Sequence, residues 1–284
     1  MAASPRVCQL RVHPNHSHPP ESGFLDNEEE QEDFMADEIL IETHGRVRII
    51  TLNRPKAKNS VNSALGNALV AAIEELDGDD GLTAGVLTGA DGGFSAGMDL
   101  KAFASEGMPE GFDSFLRAGS QKPLIAAVEG FALAGGLEIA LTCDLIVAAK
   151  GVKLGIPEVN KGLFAAGGGL FRLPNRIPYG VAMEMALTSD PISAEQGHDL
   201  GLVTRLAEPG QACAVALELA ERIAKNAPLA VAASKQIIRA TRGVTEEDSW
   251  KLQGPQSKTV FTSEDAKEGP RAFAEKREPK WSGR

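Results

Sequence analysis

The sequence predicts an α/β fold with buried strands. Short runs of Val, Ile, Leu and Ala alternate with segments of helical periodicity in the first two thirds of the chain. Glycine-rich turns separate them, and from about residue 182 the pattern becomes helical throughout.

Each element follows from local sequence. "ILIET" (39–43) and "VRIITLN" (47–53) are β-rich runs flanking His44-Gly45, which predicts a hairpin. Leu65, Leu69, Ile73 and Leu76 then recur at helical spacing after Asn62, giving an amphipathic helix. "AGVLTG" (84–89) reads as a short buried strand, followed by the glycine-rich loop "GADGGFSAGMDL". "LIAAVEG" (124–130) is another buried strand, Gly135-Gly136 opens a helix, and "DLIVAA" (144–149) is a strand again. Helices are expected at 182–188, 194–200, 210–226, 228–241, 246–260 and 264–277. Ser263 before Glu264 and Asp265 is a good N-cap with acids in the first turn. Residues 1–34 read as a disordered tail: "HPNHSHPP" is broken by proline and "DNEEEQED" is an acidic run. Patterned sequence resumes after Met35, so 35–225 is expected to form the catalytic core and 226–284 a C-terminal helical region.

Composition narrows the function classes. A formal charge of −10 disfavours nucleic acid or an anionic membrane as the main partner. Cys8, Cys143 and Cys213 are scattered and odd in number, which points to a reducing, cytoplasmic setting rather than a disulfide framework. No CxxC or CxxH pattern suggests zinc. Of the five histidines, His13, His16 and His18 lie in the tail, leaving His44 and His198 as little material for a histidine-based triad or metal site. No apolar h-region marks a secretory leader. The stretch 124–149 is apolar but carries Glu129, Glu138, Asp144 and several glycines, so it is rejected as a membrane span.

Within "FALAGGLEIALTCDLIVAA" (131–149), Glu138 is the anomaly, because a buried carboxylate is costly unless it is satisfied or used. Alone, it would be read as an acid in the first turn of a helix, favoured by the macrodipole. Three neighbours favour chemistry. Gly135-Gly136 exposes backbone N–H groups at the helix start, a place for developing negative charge. Glu158, in "LGIPEV", follows twenty residues later, after one strand. "SAGMD" (95–99) offers a further N–H at Met98. Two amide donors and two carboxylates suit a reaction that forms an enolate at a carbonyl and moves protons at adjacent carbons.

"LNRPKAKNSVN", "FSAGMDLKAF", "GFALAGGLEIALTCDLIVAA" and "LGIPEVNKGL" together resemble the crotonase, or enoyl-CoA hydratase, superfamily, from about Ile39 to the C-terminus. The resemblance implies a spiral of ββα units with a helical C-terminal trimerisation region, and trimers often paired into hexamers. It implies Glu138 and Glu158 as the catalytic acids and Met98 and Gly135 as the oxyanion-hole amides. Glu138 is expected to deprotonate water and Glu158 to protonate the α-carbon. Lys56 and Ala57, with Lys101, match the loop that contacts coenzyme A. Phe273 and Lys276 match residues that reach coenzyme A bound by a neighbouring subunit. Coenzyme A enters as part of the substrate, with no tightly bound cofactor or metal expected.

Several of these residues also have ordinary structural readings. Met98 fills core as readily as it narrows an acyl pocket. Asp99 reads as a cap for the next turn, Lys56 and Lys101 as solvated lysines, and Phe273 as packing. Asp144 suits a pairing with a helix end. Where many hydratases carry Pro-Gly-Ala-Gly-Gly-Thr, this chain has "AAGGGL" (165–170), with Ala166 at a position where glycine is common. Gly167 to Gly169 read as glycines for close helix packing. "GGGLFRLPNRIP" and "SEDAKEGPRAFAEKREPKW" also resemble the carnitinyl-CoA dehydratase branch of the superfamily. A hydratase-type lyase is the expected activity. That dehydratase, an enoyl-CoA isomerase and a non-catalytic acyl-CoA binder are its alternatives.

Overall fold

A computed structural model describes residues 38–284. Cys8, His13, His16 and His18, and the tail expected at 1–34, lie outside the described residues. The predicted hairpin is present: β1 (Ile39–His44) pairs antiparallel with β2 (Val47–Leu52), from Ile39 opposite Leu52 to His44 opposite Val47. Gly45 takes φ +57° at the turn, a conformation glycine adopts without a Cβ clash. Helix α1 (Ser63–Gly78) is capped by the Asn62 side chain, which accepts from Leu65 N at 3.0 Å, and buries Leu65, Leu69, Ile73 and Leu76.

Strand β3 (Ala84–Gly89) runs parallel to β2. After α2 (Leu100–Glu106) and α3 (Phe112–Ala118), β4 (Leu124–Val128) runs parallel to β3. All five residues of β4 are buried. Successive side chains point to opposite faces, so both faces of this strand are covered. Strand β5 (Phe131–Leu133) leads into α4 (Gly135–Thr142), then β6 (Leu145–Ala149) and β7 (Lys153–Gly155). Helices α5 (Gly169–Arg172) and α6 (Tyr179–Thr188), strand β8 (Ile192–Ser193), α7 (Ala194–Asp199) and β9 (Arg205–Ala207) follow. The chain ends in α8 (Ala212–Ala224), α9 (Pro228–Ala240), α10 (Glu246–Phe261) and α11 (Glu264–Glu275), within a few residues of the helical segments predicted.

Two sheets result, one in the order β1-β2-β3-β4-β6-β9 and one in the order β5-β7-β8. Helix α8 lies across β2, β3, β4, β6 and β9 and buries Ala212, Ala216, Leu217 and Ala220. Its small residues let the helix approach the sheet closely. Ser263 caps α11 as expected, accepting from Ala266 N at 3.1 Å. Asp144 pairs with Arg239 in the last turn of α9 at 3.9 Å, and its closer partners lie elsewhere. It accepts from Leu124 N at 2.8 Å and pairs with Lys235 Nζ of α9 at 2.6 Å. Lys235 also donates to Lys122 O at 2.7 Å, so one buried ammonium ties α9 to the edge of the core. Among the described residues no helix is long and apolar enough to cross a membrane.

Candidate active site

The small sheet explains how two glutamates twenty residues apart converge. Strands β5 and β7 are parallel neighbours, with Leu133 opposite Gly155. Both chains therefore leave the sheet at the same end. One enters α4, which carries Glu138 in its first turn; the other enters a 3-10 turn, Pro157–Lys161, which carries Glu158.

Two backbone amides meet beside them. Val61 N donates to Gly97 O at 2.8 Å and Asp99 N donates to Val61 O at 2.9 Å. In such a parallel bridge the residue between, Met98, turns its own N–H to the opposite side. A Cβ placed on Gly135 would lie 3.3 Å from Met98 N, so the two amides are near neighbours. Among the described residues nothing accepts a hydrogen bond from either N–H. The approach demands glycine: Gly97 has φ +91°, and a Cβ there would sit 2.6 Å from Gly135 N. A Cβ on Gly136 would sit 2.1 Å from Ser95 O. Ala134, the N-cap of α4, has φ 51° and ψ −131° and donates its N–H to Gly155 O at 2.9 Å. That conformation costs an alanine about 1–3 kcal/mol and sets the direction of the next amide, Gly135. The Met98 side chain is half-buried against the core, consistent with its packing role.

Glu138 is 5% exposed. Its Oε1 accepts from Gly169 N at 2.9 Å. Burial raises its pKa to about 7; the Gly169 bond opposes the rise and the charge of Glu158 adds to it. Glu158 has both carboxylate oxygens buried, with no donor from another residue reaching either. Burial pushes its pKa up as well. Both acids are withdrawn from water, and burial favours the protonated form of each. That is an unusual state for carboxylates, and a useful one for proton transfer.

The triglycine segment has a more specific task than helix packing. A Cβ on Gly167 would lie 2.8 Å from Glu138 Oε2, and one on Gly169 3.2 Å from Oε1. The loop must be thin because a carboxylate lies against it. Sequence reasoning missed this cradle. Its one local signal was the succession of three glycines, more than a single close contact requires.

The loop carrying Lys56 and Ala57 is stitched to the Met98 loop. Ala96 N donates to Lys58 O at 3.0 Å, Ser95 Oγ to Asn59 O at 2.8 Å, and Arg54 pairs with Asp99 at 3.3 Å. Buried Asn59 holds the turn, accepting from Arg54 N and donating to Ala90 O and Gly93 O. Asp99 caps α2 as expected, accepting from Lys101 N at 3.2 Å and Ala102 N at 3.3 Å. The Ala102 amide and Arg54 hold its carboxyl below the usual range against a desolvation cost. Lys56 is exposed on the first of these loops and Lys101 in the first turn of α2. Phe273 and Lys276 stand apart on α11, with Phe273 87% exposed and no hydrogen bond or ion pair linking them to the glutamates. The structure thus gathers Met98, Gly135, Glu138 and Glu158, sets Lys56, Ala57 and Lys101 alongside, and leaves Phe273 and Lys276 on an outer helix.

A sequence profile of the enoyl-CoA hydratase/isomerase family matches residues 42–284. The chain is 41% identical over 258 residues to the enoyl-CoA hydratase EchA19 of Mycobacterium tuberculosis, covering 87% of this chain and 97% of that protein. It is 39% identical over 264 residues to a carnitinyl-CoA dehydratase of Salmonella enteritidis, covering 88% and 100%. A crystal structure of an enoyl-CoA hydratase from Mycobacterium tuberculosis superposes with a TM-score of 0.83 at 55% identity, covering 88% of this chain and all of that one. The enoyl-CoA hydratase EchA1 of Mycobacterium marinum gives 0.83 at 56% identity, with the same coverage. The chain belongs to the enoyl-CoA hydratase/isomerase family and has its crotonase fold.

Proposed function

We propose that the protein is an enoyl-CoA hydratase, adding water to an α,β-unsaturated acyl-CoA thioester or removing it. The observation that carries this reading is the convergence of two buried carboxylates near two amides with no acceptor among the described residues. The thioester oxygen accepts from Met98 N–H and Gly135 N–H, which stabilise the enolate by roughly 3 kcal/mol per donor. Ionised Glu138 takes a proton from water as its oxygen bonds to the β-carbon. Protonated Glu158 delivers a proton to the α-carbon, and the two acids then re-equilibrate. Gly169 N–H keeps Glu138 oriented throughout.

Coenzyme A supplies remote binding energy that fixes the acyl group. Lys56, Ala57 and Lys101 are assigned to its adenine and phosphates, and their position beside the Met98 loop supports that role. Phe273 and Lys276 are assigned to a thioester bound by a neighbouring subunit. A trimer, or a pair of trimers, accounts for the exposed Phe273, Phe261, Phe164 and Phe171. A reducing, cytoplasmic setting suits the buried thiol of Cys143.

The test is a panel of enoyl-CoA thioesters, including crotonobetainyl-CoA, followed by loss of the conjugated ultraviolet absorbance. Hydration lost in both Glu138→Gln and Glu158→Gln supports the reading. Double-bond migration without hydration favours an isomerase, and tight binding without turnover favours a binder. The likeness to the Salmonella dehydratase makes crotonobetainyl-CoA the second substrate to try. Selective turnover of that thioester would assign the dehydratase activity.

A further inference from the structure

The triglycine loop has a second face, and an arginine lies on it. A Cβ on Gly168 would sit 2.9 Å from Arg172 Nη1 and 3.2 Å from its Cζ, whereas Cβ atoms on Gly167 and Gly169 would meet the Glu138 carboxylate. The loop is one backbone thick between a carboxylate and a guanidinium. Gly168 also has φ +107°, where any side chain is strained.

Arg172 uses its fork to join three segments. Nη1 donates to Thr142 Oγ1 at 2.9 Å and to Gly167 O at 3.2 Å. Nη2 donates to Leu116 O and, at 3.4 Å, to Arg117 O. Thr142 Oγ1 in turn donates to Glu138 O at 2.9 Å. One side chain therefore grips the C-terminal end of α3, the last turn of the helix bearing Glu138, and the loop whose Gly169 N–H holds the carboxylate. A lysine could carry the charge but not this set of acceptors.

We infer that Arg172 is a positioning residue for water addition, holding the Glu138 carboxylate in place through the Gly167–Gly169 loop. Its guanidinium, across one thickness of backbone from the carboxylate, also favours the ionised form of Glu138. The inference rests on the hydratase reading. Glu138 is faced by Glu158, which raises its pKa, and by Arg172, which lowers it. Arg172 is faced by Arg239 of α9 and by Arg242, which repel it, and by Glu138 and Cys143, which favour its charge. Burial is the largest influence against that charge, but an arginine stays protonated.

The experiment is the pH profile of kcat/KM for hydration of crotonyl-CoA by wild type, Arg172→Gln and Arg172→Lys, each checked for folding by near-ultraviolet circular dichroism. In Arg172→Gln the rate is expected to fall about 100-fold, as for a misplaced reacting group, with the acidic limb displaced to higher pH. Arg172→Lys is expected to restore the limb toward its wild-type position while recovering only part of the rate. A uniform loss at every pH in Arg172→Gln, with the limb unmoved, would overturn the inference, as would an unchanged rate. If Arg172→Gln does not fold, Arg172→Lys decides alone: a lowered rate with a wild-type limb supports the role, and a wild-type rate overturns it. Failure of the hydratase reading is distinct, since wild type itself would then not hydrate the thioester.

Discussion

Glu268 of α11 and Glu158 of the 3-10 turn Pro157–Lys161 are both carboxylates drawn away from solvent, and their surroundings are opposite. Glu268 is 6% exposed and receives Arg271, Arg277 and the amide of Lys280. These donors hold its carboxyl well below the usual range. Glu158 receives no donor from any other residue, and burial drives its pKa up. The C-terminal region uses its acid as a fastener: Glu268, with Asp265 accepting from Ser282 N and Gly283 N, folds residues 277–284 back along α11. The site around Glu158 leaves an acid unsatisfied, at a cost in stability, so that a proton can move on it. Burial alone does not distinguish the two; the count of donors does.

The largest effect expected from this contrast is catalytic. Glu138→Gln and Glu158→Gln should each lower hydration of an enoyl-CoA by roughly 10³-fold, within the range for loss of a general acid or base. Glu268→Gln should leave kcat within about twofold while lowering the denaturation midpoint, as expected for loss of a structural ion pair without loss of chemistry. The comparison breaks if Glu268→Gln loses turnover as severely as the catalytic pair.

Next comes the amide pair. Gly97→Ala puts a methyl group 2.6 Å from Gly135 N at a φ of +91°. Steady-state kinetics should show kcat falling about 10²-fold, the size expected for a damaged oxyanion hole. Gly180→Ala, where a Cβ meets nothing within 4 Å, should be silent in the same assay.

Stability against pH separates the two acids in sign. The pKa of Glu138 is raised in the folded protein, from 4.5 to about 7, so the native state binds the extra proton between those values. Its contribution to stability therefore falls as pH rises through that window. Glu138→Gln should be more stable than wild type above pH 7, by up to about 3 kcal/mol from the shift to about 7, and equal to it below pH 4.5. Glu268 has a depressed pKa, so its contribution is present above the unfolded carboxylate value and lost as pH falls. Glu268→Gln should accordingly be less stable at neutral pH, with the gap closing in acid. Urea melts at pH 4, 6 and 8 check both directions.

The smallest effect belongs to the exposed lysines. Lys56→Ala and Lys101→Ala should each raise KM for the thioester about two- to fivefold with kcat unchanged, and the difference should shrink in high salt.

Much of this arrangement is legible in the chain because it is written locally. The hairpin, α1 and the buried strands β3, β4 and β6 follow from continuous patterns, and Glu138 stands out against apolar neighbours. Strands β5 and β7, three residues each, are too short to carry a period, yet their pairing at Leu133 and Gly155 brings the glutamates to one place. Helices α2 and α3 are seven residues long and lack a clear stripe for the same reason. The bond from Gly169 N to Glu138 spans 31 residues, so nothing local to either residue announces it. The side-chain partners of Asp144, Lys235 and Arg239, lie on α9 far along the chain, so nothing local to Asp144 names them.

The most direct measurement is initial-rate hydration of crotonyl-CoA by wild type, Glu138→Gln and Glu158→Gln at matched folded concentration, across pH 5 to 9. Expected is a wild-type profile whose acidic limb reflects a group near pH 7, with both variants slower by roughly 10³-fold throughout. Wild-type turnover in either variant would contradict the assignment of water addition to this pair of carboxylates.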